Sequence, residues 1–403
     1  MDPAPRTPRT GLAPLPYHRA VVAYLKANEP EVWAWGSSTE AEQESIEQMR
    51  TLLLRNCYRL EADSHPELVA ACARVAQRLD VHVPITLYQA NGDSGMNAAL
   101  HCTPGEAHIV FSGAVLSKLH GAELEAVLGH ELAHFRLWDV ERQAYLVADR
   151  ILTTAANDGR GSTSHAHTAH RLRLYTEVFA DRGGYIGCEN FEATISALVK
   201  MATGLEKISV AAYLKQADEI FERVERGQQV SEHPELFIRA RALRLWSEGD
   251  EALDTWLAAE IEGDATFDTL CLIGQQRVSA LTRRVLGELL QLKSLQTPIL
   301  LAHAKAFFVD FTPAPVAEPL AASELGAKDA AARDYWCYVL MDFARADAEL
   351  EELPLSQALV LSQRLGLHER FRALASKELG LTERQLNRIL KEAPDLLRGA
   401  DAS

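Results

Sequence analysis

Residues 129–134 read Gly129-His130-Glu131-Leu132-Ala133-His134, two histidines four apart with a glutamate beside the first. On a helix, residues four apart stand one turn above each other, so both imidazoles can reach a single ion with Zn–N bonds of about 2.0–2.1 Å. Glu131 is rotated by about 100° from His130 in an ideal helix, which leaves its carboxylate beside the metal, where it can polarise a bound water. The spacing alone supplies two metal ligands and a general base, the arrangement that hydrolytic zinc sites use. Such a site takes a third protein ligand and leaves the fourth position to water. Glu177 and Asp181, four apart in Tyr175-Thr176-Glu177-Val178-Phe179-Ala180-Asp181, answer that need from a second helix. Glu177 is the expected third ligand. Asp181 is expected to accept a hydrogen bond from the far nitrogen of a histidine ligand, His130, and so to fix its tautomer. The competing reading is an exposed ion-pairing carboxylate pair, and it suits the apolar neighbours Val178, Phe179 and Ala180 less well.

The elements that must position these groups follow from hydrophobic period. The first motif lies in an apolar helix starting near Ala122, with Leu124, Val127, Leu128, Leu132 and Phe135; there two imidazoles and a carboxylate would be costly without a partner. Gly183-Gly184 is expected to end the helix that bears Glu177. Upstream, residues 17–26 and 39–60 have helical spacing, the second opening with Thr39 and Glu42 as a capping box. Residues 65–79 place Leu68, Ala71, Cys72, Val75, Ala76 and Leu79 on one helix face. The period then changes: 83–89 alternates, 107–111 is a short apolar run, and 96–101 follows the turn signal of residues 91–95, so a small sheet flanked by helices is expected. Nearly everything after Ala122 reads helical. The fold class is therefore α+β and mostly helical.

The chain has 403 residues, 47% hydrophobic and 24% charged, enough for more than one core and too apolar for general disorder. Its net charge of −15 repels phosphate backbones and anionic headgroups, so nucleic acid is not expected as a partner. The six cysteines are far apart with no CxxC pair, which fits free thiols in a reducing compartment, and a cytoplasmic location is expected. No run reaches the roughly 20 apolar residues of a membrane span. Weak points at 157–164, 227–231 and 312–323, the last holding three prolines and four alanines, suggest the division of the chain. The expected parts are a disordered Pro-rich tail at 1–16, a catalytic domain at 17–260, a helical connector and linker at 261–323, and a helical domain at 324–403. The tract His165-Ala166-His167-Thr168-Ala169-His170 is read as an exposed loop in preference to a second metal site or a modulating flap.

The ordered series of motifs resembles the HtpX-type and CAAX prenyl-protease family of HExxH…ExxxD zinc metallopeptidases, the gluzincins. The residues that carry it are Asn97-Ala98, the strand His108 to Phe111 with Ser112-Gly113, the stretch from Glu123 to His134, and Glu177 to Asp181-Arg182. Ser231-Glu232-His233-Pro234 followed by Arg239 resembles the family's His-Pro…Arg element, and the similarity spans residues 68–245. The resemblance implies that His233 donates to the developing oxyanion, that Arg239 braces the site, and that Asn97 and Ala98 lie on an active-site edge strand holding substrate backbone by β-augmentation. Many members of the family carry membrane helices, and none is visible here, so a membrane-protein substrate does not follow. The segment from Met341 to Leu350, with Ala344-Arg345-Ala346-Asp347, is similar to the helical tellurite-resistance TerB-like domain. Ala348 stands where that pattern has glycine.

Together these imply one zinc per chain and a soluble zinc-dependent metalloendopeptidase, with Glu131 as base and a peptide or protein as substrate. The alternative is a latent or inactive zinc-binding protein of the same fold, serving as a regulatory or interaction scaffold through its C-terminal domain.

Overall fold

The computed structural model describes residues 11–38, 42–92, 95–103, 105–157, 161–223, 233–263, 266–316, 318–326 and 329–401. Thr39 of the expected capping box, Asp93 and Ser94 of the turn signal, Ser231-Glu232 and the first ten residues of the expected tail lie outside them. The described part is α+β and mostly helical, and the chain divides into two compact units, residues 1–264 and 265–403.

The first unit opens with α1 (Pro16–Asn28), α2 (Pro30–Gly36), α3 (Glu42–Asn56), β1 (Cys57–Leu60) and α4 (Pro66–Arg78). Pro16 suits a first helical position, where its missing N–H is no loss. Leu15, just before it, is 2% exposed, so the stretch expected as tail is packed into the unit by that point. The helical spacing read over 39–60 stops at Asn56; Cys57–Leu60 pairs antiparallel with residues 87–90. No glycine or proline marks that change, and the pairing is set by the neighbouring strand.

Next come β2 (Ile85–Ala90), β3 (Asn97–Thr103), β4 (Glu106–Ser112), α5 (Val115–Lys118), α6 (Ala122–Asn157), α7 (Thr163–Cys188), α8 (Phe191–Thr203), α9 (Val210–Arg223), α10 (Leu236–Ser247) and α11 (Leu253–Glu262). The four strands form one mixed sheet in the order β1-β2-β4-β3, with β2 and β4 parallel and the other neighbours antiparallel. In β4 the residues Ala107, Ile109 and Phe111 pack with α4 and α6, while Val110 packs on the opposite face with Leu53 of α3 and Tyr88. A strand buried on both faces reads as a nearly continuous apolar run, interrupted here by the buried His108. On α4 the apolar positions 68, 71, 72, 75 and 76 are all buried, as their helical spacing predicts. β3 closes one edge of the sheet, and that edge faces α6.

α6 and α7 pack more extensively on each other than any other pair, and glycines make the contact close. A Cβ on Gly129 would lie 2.6 Å from the Gly183 carbonyl oxygen, and one on Gly187 would lie 2.9 Å from the Gly129 Cα. Both neighbours are backbone and cannot swing aside, so the two helix axes approach only because these side chains are absent. This corrects the expected helix end at Gly183-Gly184: α7 continues to Cys188. α6 itself is broken. Val140 is extended, and Glu141, Arg142 and Gln143 all have φ between +53° and +63°, a left-handed turn that costs non-glycine residues energy. The Tyr145 hydroxyl donates to Glu141 Oε1 at 2.8 Å and ties the turn to the second half of the helix.

The second unit contains α12 (Leu272–Leu289), α13 (Pro298–Phe307), α14 (Ala330–Ala344), α15 (Leu353–Arg364), α16 (His368–Leu379) and α17 (Glu383–Asp401) around a core that includes Trp336, Leu340, Phe343, Leu359 and Phe371. The segment expected as connector belongs to this core: Val285, Leu300, Phe311 and Leu320 are each at most 2% exposed. The proline-rich stretch is fixed at Leu320, whose backbone N–H donates to the buried Glu288 carboxylate, which Arg364 also pairs. Asp347 accepts from the Glu349 N–H at 3.1 Å and from the Thr297 hydroxyl at 2.7 Å. Its carboxylate serves as a local cap in this structure.

Candidate metal centre

The first half of α6 presents His130, Glu131 and His134, and α7 presents Glu177 and Asp181 across the glycine contact. His130 Nε2 lies 3.4 Å from His134 Nε2 and 3.5 Å from Glu177 Oε2, and His134 Nε2 lies 3.6 Å from Glu177 Oε1. Three ligands on a tetrahedral zinc with bonds near 2.05 Å stand about 3.3 Å apart, so these donors already mark one face of such a tetrahedron. Among the described residues this is the one cluster of three His, Cys, Asp or Glu side chains that could hold a metal ion, and its donor set of two imidazoles and a carboxylate is one zinc accepts. The residues fit the ion. The histidine tract at 165–170 forms no such cluster. It is helical, in the first turns of α7, where His165 bonds Ser162 and reaches Glu29 at 3.1 Å. The expected loop there is corrected to a helix start.

The next layer of contacts orients these three side chains. His130 Nδ1 donates to Asp181 Oδ1 at 3.1 Å, which turns its Nε2 lone pair toward the other donors. Arg239 of α10 donates to both Asp181 oxygens, at 2.8 and 2.6 Å, and stands 3.4 Å from Glu177 Oε2. His233 Nδ1 lies 3.0 Å from the same Glu177 oxygen, with its side chain more than half exposed. All the groups expected from the sequence thus meet in one place, with Asn97 and Ala98 on the edge strand beside it.

The electrostatics follow from burial and pairing. Burial pushes the Glu131 carboxyl up to about 7, with the His130 charge opposing. Burial disfavours a charged His130, but the hydrogen bonds it donates to Asp181 and Glu177 outweigh it and raise the ring to about 10. His134 is held down at about 4 by burial. Glu177 is kept well below the usual carboxylate range despite its burial, because His130 and His233 donate to it and Arg239 is near. A metal ion at His130 Nε2 would compete with the proton that these hydrogen bonds favour.

Other contributors were not visible in the sequence. Leu100 of β3 turns its backbone N–H toward Glu131 and favours the charged carboxylate. Since backbone groups alternate sides along a strand, Ala98 and Cys102 present theirs to the cleft as well, and Asn97 faces β4. His18 of α1 is 1% exposed; Leu15 N–H donates to its Nδ1 at 3.1 Å, so its Nε2 carries the proton, 3.0 Å from Thr176 Oγ1. Burial holds this histidine at about 3, neutral, and Tyr17 stacks on Tyr175 at 4.6 Å, so α1 clamps α7 beside Glu177. A histidine at the third position of a Pro-started helix gives no signal of such a tertiary role.

Two imidazoles and a carboxylate set for one ion, with a buried carboxylate alongside and a cavity of about 780 Å³ open to them, make the class of site that of a metal-dependent hydrolase. Residues 62–247, a little under half of the chain, match the model of Peptidase family M48, which supports a zinc metallopeptidase of that family. No curated protein and no solved structure matches the chain.

Proposed function

We propose that the first unit is a zinc-dependent metalloendopeptidase that hydrolyses peptide bonds in peptides or proteins. The observation that carries the reading is the triangle of His130, His134 and Glu177 donors at 3.4–3.6 Å with Glu131 beside it in an open cavity. A bound zinc supplies Lewis-acid polarisation of the scissile carbonyl and of the attacking water. Glu131 takes the proton from that water and hands it to the leaving amine; burial holds its basicity near neutral pH, where one group can do both. His233, whose hydrogen bond to Glu177 favours its protonated form, is positioned to donate to the oxyanion as it forms. Arg239 and Asp181 keep His130 and Glu177 in place. Ala98 and its neighbours on β3 offer backbone groups to an extended substrate.

No described helix is long and apolar enough to cross a membrane, and all six cysteines are free thiols. These features support a soluble protein of a reducing compartment, the cytoplasm. The second unit serves, on this reading, as a TerB-like module for a regulatory partner. The expected test outcome is cleavage of a mixed peptide library by the purified full chain, stopped by a zinc chelator and restored by added zinc. Cleavage that persists in excess chelator would assign the activity to a different chemistry.

A further inference from the structure

We propose that the cleft carries an acidic subsite at Asp149, which takes a lysine or arginine side chain of the peptide; this rests on the metallopeptidase reading above. The cavity that holds the metal ligands does not stop at them. It continues past Trp138 and along the second half of α6, where Tyr145, Asp149 and, from α7, Arg173 line it. Asp149 is half-buried, and among the described residues it makes no hydrogen bond and no ion pair within 4.0 Å. Burial holds its carboxyl above the usual range, with the Arg173 charge opposing only in part. A half-buried carboxylate with no donor from the protein is held less favourably than one in open water, and a cation entering the cavity would offset that cost.

The walls suit such a cation. Trp138 and Tyr145 flank the approach, and aromatic faces attract ammonium and guanidinium groups. Arg173 lies in the same wall but is exposed and remains solvated, so it makes no comparable demand for a counter-ion. The left-handed turn at residues 141–143 sets this half of α6 against the cavity that the first half opens.

The position along the substrate follows from β3. Leu100 faces Glu131, while Asp149 acts on Cys102, whose thiol is pushed up to about 11 by burial first and by the Asp149 charge in addition. Two residues of extended chain span about 7 Å. The side chain read by Asp149 therefore sits about two residues from the scissile bond.

Binding tests this without requiring turnover. Fluorescent peptides, identical except for Lys, Gln or Glu at one position moved along the sequence, are titrated by anisotropy into the zinc-loaded full chain carrying Glu131→Gln. At one position Lys is expected to bind about tenfold more tightly than Gln. Adding Asp149→Asn should bring that ratio close to one, while Asp149→Glu should keep most of it. A Lys peptide that binds no better than its Gln partner would overturn the proposal, as would an Asp149→Asn chain that weakens both equally. A preference for Glu would assign the wall to Arg173 and would also overturn it. Failure of the peptidase reading is seen separately, as absence of chelator-sensitive cleavage by the unaltered chain.

Discussion

Glu131→Gln is expected to bind zinc as the unaltered chain does and to hydrolyse peptides about 10²–10⁴-fold more slowly, the span that a positioned acid–base group contributes. The amide keeps the shape and the neighbours of the carboxylate, and the donors of His130, His134 and Glu177 do not depend on it. What it cannot do is accept a proton from water. Glu131 is 6% exposed and its charged form is disfavoured by burial, so the neutral amide should leave folding stability unchanged or slightly raised. Zinc content, kcat on a cleaved peptide and the urea midpoint measured together separate the roles. Turnover at the unaltered rate would remove Glu131 as the base.

Asp181→Ala is expected to damage both stability and metal binding. Asp181 is 2% exposed and is the shared acceptor of Arg239 Nε, Arg239 Nη2 and His130 Nδ1. Without it a buried guanidinium keeps only Glu177 at 3.4 Å, and breaking a buried pair from one side costs about 3–5 kcal/mol. His130 also loses the contact that fixes its ring, for which a 10–100-fold loss of zinc affinity is expected. Asp181→Asn, which retains an acceptor oxygen, should lose less of both. The pH dependence has a definite sign. Arg239 and His130 hold the Asp181 carboxyl below its usual value against the effect of burial, so its stabilisation is complete above about pH 4 and is lost as pH falls through the lowered value. Asp181→Ala should therefore unfold at lower urea at pH 7 and show a shallower acid dependence below pH 4. Urea melts equal to those of the unaltered chain across that range would contradict the assigned role.

The metal centre was legible because each of its two halves lies within one helical turn. His130 with His134, and Glu177 with Asp181, sit four apart in apolar helices, where local period and burial cost point the same way. What joins the halves was not legible. Gly183 and Gly184 look like a helix stop when judged by backbone freedom, yet the structure uses them for closeness, since a Cβ on Gly183 would meet Ala133 and the Gly129 carbonyl oxygen and one on Gly184 the Ala126 carbonyl oxygen. The break at residues 141–143 contains neither glycine nor proline, so nothing local separates the half of α6 bearing His134 from the half bearing Asp149. β1 was hidden for a related reason: Cys57–Leu60 continues the spacing of α3 and becomes a strand only through its pairing with β2. Phe311 and Leu320 lie at the ends of a proline-rich stretch that composition alone marks as linker, while their burial depends on helices distant in sequence.

Zinc at His130, His134 and Glu177 underlies the proposed chemistry, and it is tested most directly by elemental analysis of the unaltered full chain beside Glu177→Ala. About one zinc per unaltered chain is expected after dialysis, with loss of most of it when Glu177 is removed. No zinc in the unaltered chain, or the same zinc content in both, would contradict it.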